Sequence, residues 1–475
     1  MKTKNANISA WEQDPGSGSQ PDGGLLIQIP APQLNATSLP TIIQNHAQAP
    51  AAGVYNPGLP EFRYWAAAAA LSRTSTFWSA LLPGVSWHVG NVLPVDLDHG
   101  DDLNAFYDRV GLRFFHGTVG SRTFFSGESP DVVCHEEGHA VLDSIKPQLW
   151  DAASLEISAF HESFADISAL LSALQVPSLR HGVLAETGGV LYRNSRLSRL
   201  AEQLGSAIRQ GHPMLVDPDC LRNAVNSFFY RDPNTLPSNA PASNLSSEPH
   251  SFSRVFTSAF LEGLSNMFSL RPAQDEPNLL QVSTDIGKIV IGGVRAASVV
   301  PTFYSQVAVN MIQAANSEFT EIAYGDALKT SFIKHGIISP ANAAVFAQAR
   351  MAMAVAPAEQ DQTSELPKLN LSVQEYGLGV DAILVHSASE PKRFNVAGAA
   401  LDIGSVAAPS EDVTAKAFLE DLLRRDRLRQ GVEDDKTAKP SANLPVARHK
   451  HTHKLIKQGN DVVLKRIRID CGLSH

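Results

Sequence analysis

The clearest chemistry in the chain lies in five residues, His135-Glu136-Glu137-Gly138-His139. Two histidines four positions apart share one face of a helix. Two neutral imidazoles on one face suit a divalent metal, zinc above all. Glu136 sits about 100° round the helix from His135, where a carboxylate reaches a metal-activated water without ligating and serves as general base. With 16 histidines in 475 residues, chance yields this pattern roughly 0.03 times in a chain of this length. A catalytic zinc takes three protein ligands and keeps one position open. Residues 159–171 (AFHESFADISALL) supply Glu162 as third ligand, with Asp166 placed to accept a ligand histidine's second N–H. An ordinary polar helix face is the competing reading of that pair. The apolar company of Ile157, Phe160, Phe164, Ile167 and Leu170 argues against it.

These residues need rigid elements to hold them. Ser129 is a natural N-cap, Pro130 a natural first helical residue, and Asp131 suits the positive end of a helix. Gly138 costs a helix about 1 kcal/mol relative to Ala, and it leaves room for something to approach beside a ligand. Residues 1–55, rich in Gly, Pro, Ser, Asn and Gln, predict a flexible arm with one short strand near Leu25 to Ile29. Residues 56–175 predict an α/β lobe. It contains a long helix stopped at Pro83-Gly84, a strand through Leu93, Val95 and Leu97 kept to a sheet edge by Pro94, and the two metal-bearing helices. Residues 176–355 predict a helical lobe, with apolar spacing of three to four in SRLSRLAEQLGSAIRQG, SFSRVFTSAFLEGLSNMF, LLQVSTDIGKIVIGGVRAA and PANAAVFAQARMAMAV. Residues 356–475 predict a linker and an accessory module, with short strands, one charged helix (EDVTAKAFLEDLLRRDRLRQ) and a basic strand-like end. The fold class expected is α+β, in two lobes with a β-rich C-terminal module.

The ensemble resembles the thermolysin family of zinc endopeptidases. The stretch SGESPDVVCHEEGHAVLD (126–143) is similar to that family's metal helix, with its Asp-Val-Val lead-in and His-Ala-Val-x-Asp exit. Asn104-Ala105-Phe106-Tyr107 resembles its Asn-Ala-Phe-aromatic edge strand, and Glu162 to Asp166 its third-ligand Glu-x-x-x-Asp. Pro249-His250-Ser251-Phe252-Ser253 resembles the segment carrying its second catalytic histidine, and Arg222 falls where it keeps a substrate-binding arginine. The resemblance spans about residues 60–350. It implies a two-lobed thermolysin-like zincin fold with zinc on His135, His139 and Glu162, and catalysis by Glu136 and His250. It further implies peptide binding by Asn104, Ala105 and Arg222, with Arg231 as rival to Arg222. An exposed edge strand suits an extended peptide on physical grounds alone. Glu248 is placed to orient His250, and Val132, Phe125 and Leu221 to line a pocket for an apolar side chain.

The sequence departs from the family in three places. Trp150 stands where the family has an oxyanion-assisting tyrosine, and His161 where it has asparagine. After Asp166 the run ISALLSALQVPS lacks the carboxylates that hold structural calcium in relatives, so no calcium site is expected. Cys134 reads as a small buried apolar residue, with an inhibitory thiol as the alternative. His449, His451 and His453 alternate in RHKHTHK, which on a strand offers either a second metal site or a solvated basic segment.

Composition narrows the class. The net charge of −9, from 39 basic and 48 acidic residues, argues against nucleic-acid binding. No apolar run is long enough for a membrane span, and no secretory signal is recognisable at the start. Three scattered cysteines are no disulfide framework. These features point to the cytoplasm, with signal-independent export as the alternative. The partner expected is a peptide or protein substrate. The expected activity is a zinc metalloendopeptidase. The alternatives are a catalytically weak or inactive zinc protein of the same fold acting as a binding module, and a zinc aminopeptidase.

Overall fold

The computed structural model describes residues 6–16, 24–45, 48–340, 365–389, 409–434 and 450–472. The chain begins with an antiparallel pair, β1 (Asn7–Trp11) and β2 (Leu26–Pro30), followed by β3 (Thr41–Ile43). Helix α1 (Pro60–Leu81) comes next, then β4 (Leu93–Asp96), β5 (Ala105–Tyr107), β6 (Leu112–Phe114), β7 (His116–Val119) and β8 (Arg122–Phe125). Helices α2 (Pro130–Ile145), α3 (Leu155–Ala173) and α4 (Pro177–Thr187) lead into β9 (Arg199–Leu200), α5 (Glu202–Gly211) and β10 (Arg222–Asn223). Four helices follow, α6 (Pro249–Ser269), α7 (Glu276–Ala296), α8 (Phe303–Glu318) and α9 (Tyr324–Lys334). The last part holds β11 (Lys368–Ser372), β12 (Ala382–His386), α10 (Glu411–Arg424), β13 (Leu428–Asp434), β14 (His453–Gln458), β15 (Asp461–Arg466) and β16 (Ile469–Asp470).

The architecture is mixed α and β. One five-stranded sheet runs β16-β5-β6-β4-β3, and a second, β11-β12-β15-β14-β13, forms the C-terminal part with α10. The main core is continuous from the first sheet through α1, α2 and α3 to α6–α9, with Trp78, Phe160, Phe164, Phe256 and Tyr304 fully buried. A second core lies under α10. It includes Ala153 and Leu155 from around the start of α3, so the C-terminal part is packed directly on that end of α3.

The start of α2 matches its sequence signals, and α3 is capped in the same way. The Ser129 hydroxyl caps α2 by accepting from Val132 N at 3.3 Å, with Pro130 at the first turn. Ser154 caps α3 through Ile157 N at 3.4 Å. Gly138 is where these helices meet. A Cβ there would fall 2.7 Å from Ser168 Cβ and 2.9 Å from Ala165 Cα, so the bare backbone lets α3 close on α2. What approaches beside the ligands is thus the helix that carries Glu162.

Several expectations are corrected. Among the described residues of the first 55 there are three strands: the one expected near Leu25 is β2, and β1 and β3 are additional. β1 buries Ile8 and Ala10, Trp11 meets Phe62 of α1 edge-on at 5.6 Å, and β3 pairs in parallel with β4. β4 is an inner strand between β3 and β6, not an edge. Pro94 is tolerated because pairing with β6 begins only at Val95, so no donor is required of Pro94 on that side. The stretch 195–211 is helical only from Glu202, because Ala201 adopts a left-handed φ of 50°. The charged helix ends at Arg424: Asp426 has φ 50°, and Leu428 starts a strand. The basic strand-like end forms β14 and β15, both interior to their sheet. Lys465 pairs with Asp151 at 2.9 Å, and Arg466 donates to the Trp150 carbonyl at 2.7 Å and the Ser158 hydroxyl at 2.8 Å. All but the first residue of the helix expected over 340–355, and His449, lie outside the described residues. Among the described residues, no helix is long and apolar enough to cross a membrane.

Candidate metal centre

Helix α2 presents His135 and His139, α3 presents Glu162, and the residue after β16 presents Cys471. These four buried side chains form a group able to hold a metal ion, with their donor atoms all within 4.8 Å of one another. A tetrahedron with bonds of about 2.0–2.3 Å has edges of about 3.3–3.8 Å. His135 Nε2 lies 3.3 Å and His139 Nε2 3.8 Å from Glu162 Oε2. Cys471 Sγ lies 3.2 Å from His135 Nε2, 3.4 Å from His139 Nε2 and 4.0 Å from Glu162 Oε2. These separations fit donors around one cation.

The surrounding shell orients the donors. His135 Nδ1 meets Asp166 Oδ1 at 2.9 Å, which leaves Nε2 for a metal. Arg222 in turn donates to Asp166, through Nη2 to Oδ1 at 2.9 Å and Nε to Oδ2 at 3.4 Å. The arginine assigned to substrate binding is therefore engaged in holding Asp166, at the rim of the cleft. Burial works against the Asp166 carboxylate, but Arg222 and His135 outweigh it and keep its pKa below the usual range. Burial likewise opposes charge on His135, yet hydrogen bonds to Asp166 and Glu162 raise it to about 9 in the metal-free protein. His139 is pushed well below its ordinary value by burial and by His135 and His250. Its Nδ1 has no hydrogen-bond partner in the protein, and neither do the two nitrogens of His161, whose ring lies 6.0 Å away. His161 thus makes no direct hydrogen bond to His139.

Glu136 is fully buried, and neither of its oxygens makes a hydrogen bond of acceptable geometry; the Cys471 thiol is close enough to act on its charge. Burial lifts the Glu136 carboxyl to about 8, opposed by His135. A cation beside it would draw that value down again. His250, in the first turn of α6, has Nδ1 at 2.7 Å from Glu248 Oε1. Its Nε2 lies 3.2 Å from Glu162 Oε2 but is not aligned for a hydrogen bond. Burial disfavours its charge, and Glu162 and Glu248 overcome that and raise its pKa. Glu248 does double duty, also capping α6 by accepting from Ser251 N at 2.8 Å.

The remaining expected residues fall as follows. The exposed edge strand expected at Asn104 and Ala105 is not found: β5 is an inner strand between β16 and β6, and both residues are buried. Asn104 Nδ2 donates to Asp470 Oδ1 at 2.6 Å, and Cys471 N donates to the Ala105 carbonyl at 3.0 Å. Val132 and Leu221 line a recess with Ala105, Leu200, Leu204 and Cys471, whereas Phe125 lines a neighbouring one with Phe115 and Phe124. Trp150 packs edge-on to Tyr107 at 5.6 Å with Arg109 over its ring at 4.7 Å. Cys134 faces α1, 3.9 Å from the Ala70 carbonyl, as a buried packing residue. A cavity of about 720 Å³ opens beside the group, bordered by Leu221, Arg222, Glu248, His250, Arg254 and Cys471 among others. His451 is 3.8 Å from Asp426, and His453 bonds Thr452 at 2.9 Å.

The candidate ligand that the sequence pattern missed is Cys471. It stands 336 positions from His135, and no local motif marks it. No protein-family model and no curated protein sequence matches the chain.

Proposed function

We propose that the protein is a zinc-dependent peptidase of thermolysin-like architecture that hydrolyses internal peptide bonds. The observation that carries this reading is the convergence of His135, His139 and Glu162 from two helices, with Glu136 unpaired beside them. A zinc ion held there would supply Lewis-acid chemistry, acidifying water and polarising a carbonyl. Glu136 takes the water's proton and returns it to the leaving nitrogen. A carboxylate with no competing hydrogen bond is free for that task. His250, favoured in its charged form, donates from Nε2 toward the developing oxyanion. Asp166, held by Arg222, fixes the tautomer and orientation of His135. Asn104 and the Ala105 carbonyl, engaged here by Asp470 and Cys471, would align an extended peptide in place of those residues.

A second reading is favoured by Cys471. Four protein donors close a metal site, as in structural zinc centres, and leave no open position for turnover. The protein would then be a metal-bearing binding module of the same fold. Metal content and cleavage of an internally quenched peptide, compared between the parent protein and Glu136→Ala, separate the two. The peptidase reading expects about one zinc in both and hydrolysis lost in the variant. Equal inertness across a peptide library, with zinc bound, refutes it.

A further inference from the structure

The C-terminal strand occupies the site that the peptidase reading gives to substrate. β5 begins at Ala105, just after Asn104, and the side of it away from β6 is taken by β16, with Ile469 opposite Tyr107 and Asp470 opposite Phe106. The ladder continues one step further, with Cys471 N bonded to the Ala105 carbonyl at 3.0 Å. Antiparallel addition to an exposed edge is how an extended peptide is gripped. The strand is well seated. The Asp470 carboxylate is held by Asn104 at 2.6 Å, Arg427 at 3.1 Å and Arg468 at 3.4 Å. Gly472 passes so close to Asn104 that a Cβ would fall 2.4 Å from its side chain. The atom delivered among His135, His139 and Glu162 is the Cys471 sulfur. A thiolate is a soft, strong ligand for zinc and binds it better than a peptide carbonyl does.

We propose that residues 469–472 are a built-in occupant of the peptide cleft, with Cys471 as the fourth metal ligand, and that the segment must withdraw before a substrate can bind. The proposal rests on the peptidase reading for its consequence, but not for the coordination itself. Withdrawal involves no oxidant or reductant. The sulfur leaves the metal and takes a proton from solvent, and the fourth position opens to water. The accessory module supports the seat from behind. Arg425, just after α10, lies 3.6 Å from Glu248, the residue that orients His250. The C-terminal sheet that delivers β16 is bound to the start of α3 through Lys465 and Arg466.

The test uses full-length protein loaded with one cobalt(II). The parent should show a near-ultraviolet thiolate-to-cobalt band that Cys471→Ser lacks, while the visible cobalt bands persist in both. In the zinc forms, Cys471→Ser should hydrolyse a quenched peptide faster than the parent. Occupancy of nine-tenths of the molecules corresponds to a gain of about tenfold. Gly472→Val keeps the thiol but collides with Asn104, and should raise turnover in the same direction. A parent spectrum without the thiolate band overturns the coordination. Equal turnover of parent and both variants, with all three active, overturns the blockade. A thiolate band with all three proteins inert upholds Cys471 as ligand and refutes the peptidase reading instead.

Discussion

Gly138→Ala tests how the metal site is held together. The added methyl would sit 2.7 Å from Ser168 Cβ and 2.9 Å from Ala165 Cα. That is short of the ~3.5–4.0 Å carbon–carbon optimum by about 1 Å. Ser168 cannot swing away freely, since its hydroxyl donates to the Cys134 carbonyl at 3.1 Å and accepts from Trp78 Nε1 at 3.0 Å. The Ala165 contact is backbone, so α3 itself must move outward. Overpacking of this kind costs ~1–3 kcal/mol, and the better helix propensity of Ala returns about 1 kcal/mol. Net destabilisation should therefore be modest, roughly 0–2 kcal/mol. Metal affinity should suffer more. Glu162 rides on α3 with Oε2 only 3.3 and 3.8 Å from the two imidazole nitrogens, and a shift of α3 pulls it from its partners on α2. Loss of ligand orientation costs on the order of 10-fold or more in affinity. Denaturant melts of the metal-free protein give the first quantity, and competition with a chromophoric chelator gives the second. Unchanged zinc affinity would refute the idea that Gly138 sets the spacing of the ligand helices.

Two further outcomes follow from the buried charges. Asp166→Asn should lower metal affinity about 10–100-fold by releasing His135. It should also destabilise the protein by ~3–5 kcal/mol, since Arg222 is left buried without its partner; chelator competition and urea melts check both, and a variant of unchanged affinity would contradict the assigned role. Glu156 is buried, accepting from Tyr304 N at 2.5 Å and the Tyr230 hydroxyl at 2.8 Å, and burial raises its pKa to about 8. The folded state then holds a proton that the unfolded state releases, so this contribution is full below about pH 4.5 and lost as pH climbs through about 8. Glu156→Gln should flatten that decline in melts at about pH 5 and pH 8, and an identical slope in parent and variant would count against it.

Much of the site was legible because its signals are local. Ser129, Pro130 and the His-Glu-Glu-Gly-His run specify both a helix and the face it presents, and the apolar residues around Glu162 and Asp166 mark α3 as a packed helix. Asp166 was legible through its spacing of four from Glu162 on α3, and His250 through the family resemblance of residues 249–253. What escaped depends on contacts distant in sequence. β16 is two residues long, too short for any alternation to show. The seat of Cys471 is set by pairing with β5 and by side chains such as Asn104, Arg427 and Arg468, not by its neighbours in the chain. Arg222 was legible as a site residue, but its partner Asp166 emerged only from packing. The strand near Leu25 was legible and is β2, but β1 and β3 were hidden because Gly- and Pro-rich composition speaks for the connecting turns and not for Ile8, Ala10 and Trp11, which pay their ordering entropy by burial against α1 and its surroundings. The early ends of the helices at Ala201 and Asp426 are backbone events at non-glycine residues that periodicity does not register.

The most direct test of the central claim is turnover of an internally quenched peptide by the zinc-loaded protein carrying Cys471→Ser, with and without Glu136→Gln. Removing the thiol frees the cleft, and the second substitution removes only the proton acceptor. The account predicts equal zinc content in the two proteins and a rate about 10²–10⁴-fold lower without the carboxylate. Equal rates, or no hydrolysis by either protein with zinc bound, would contradict it.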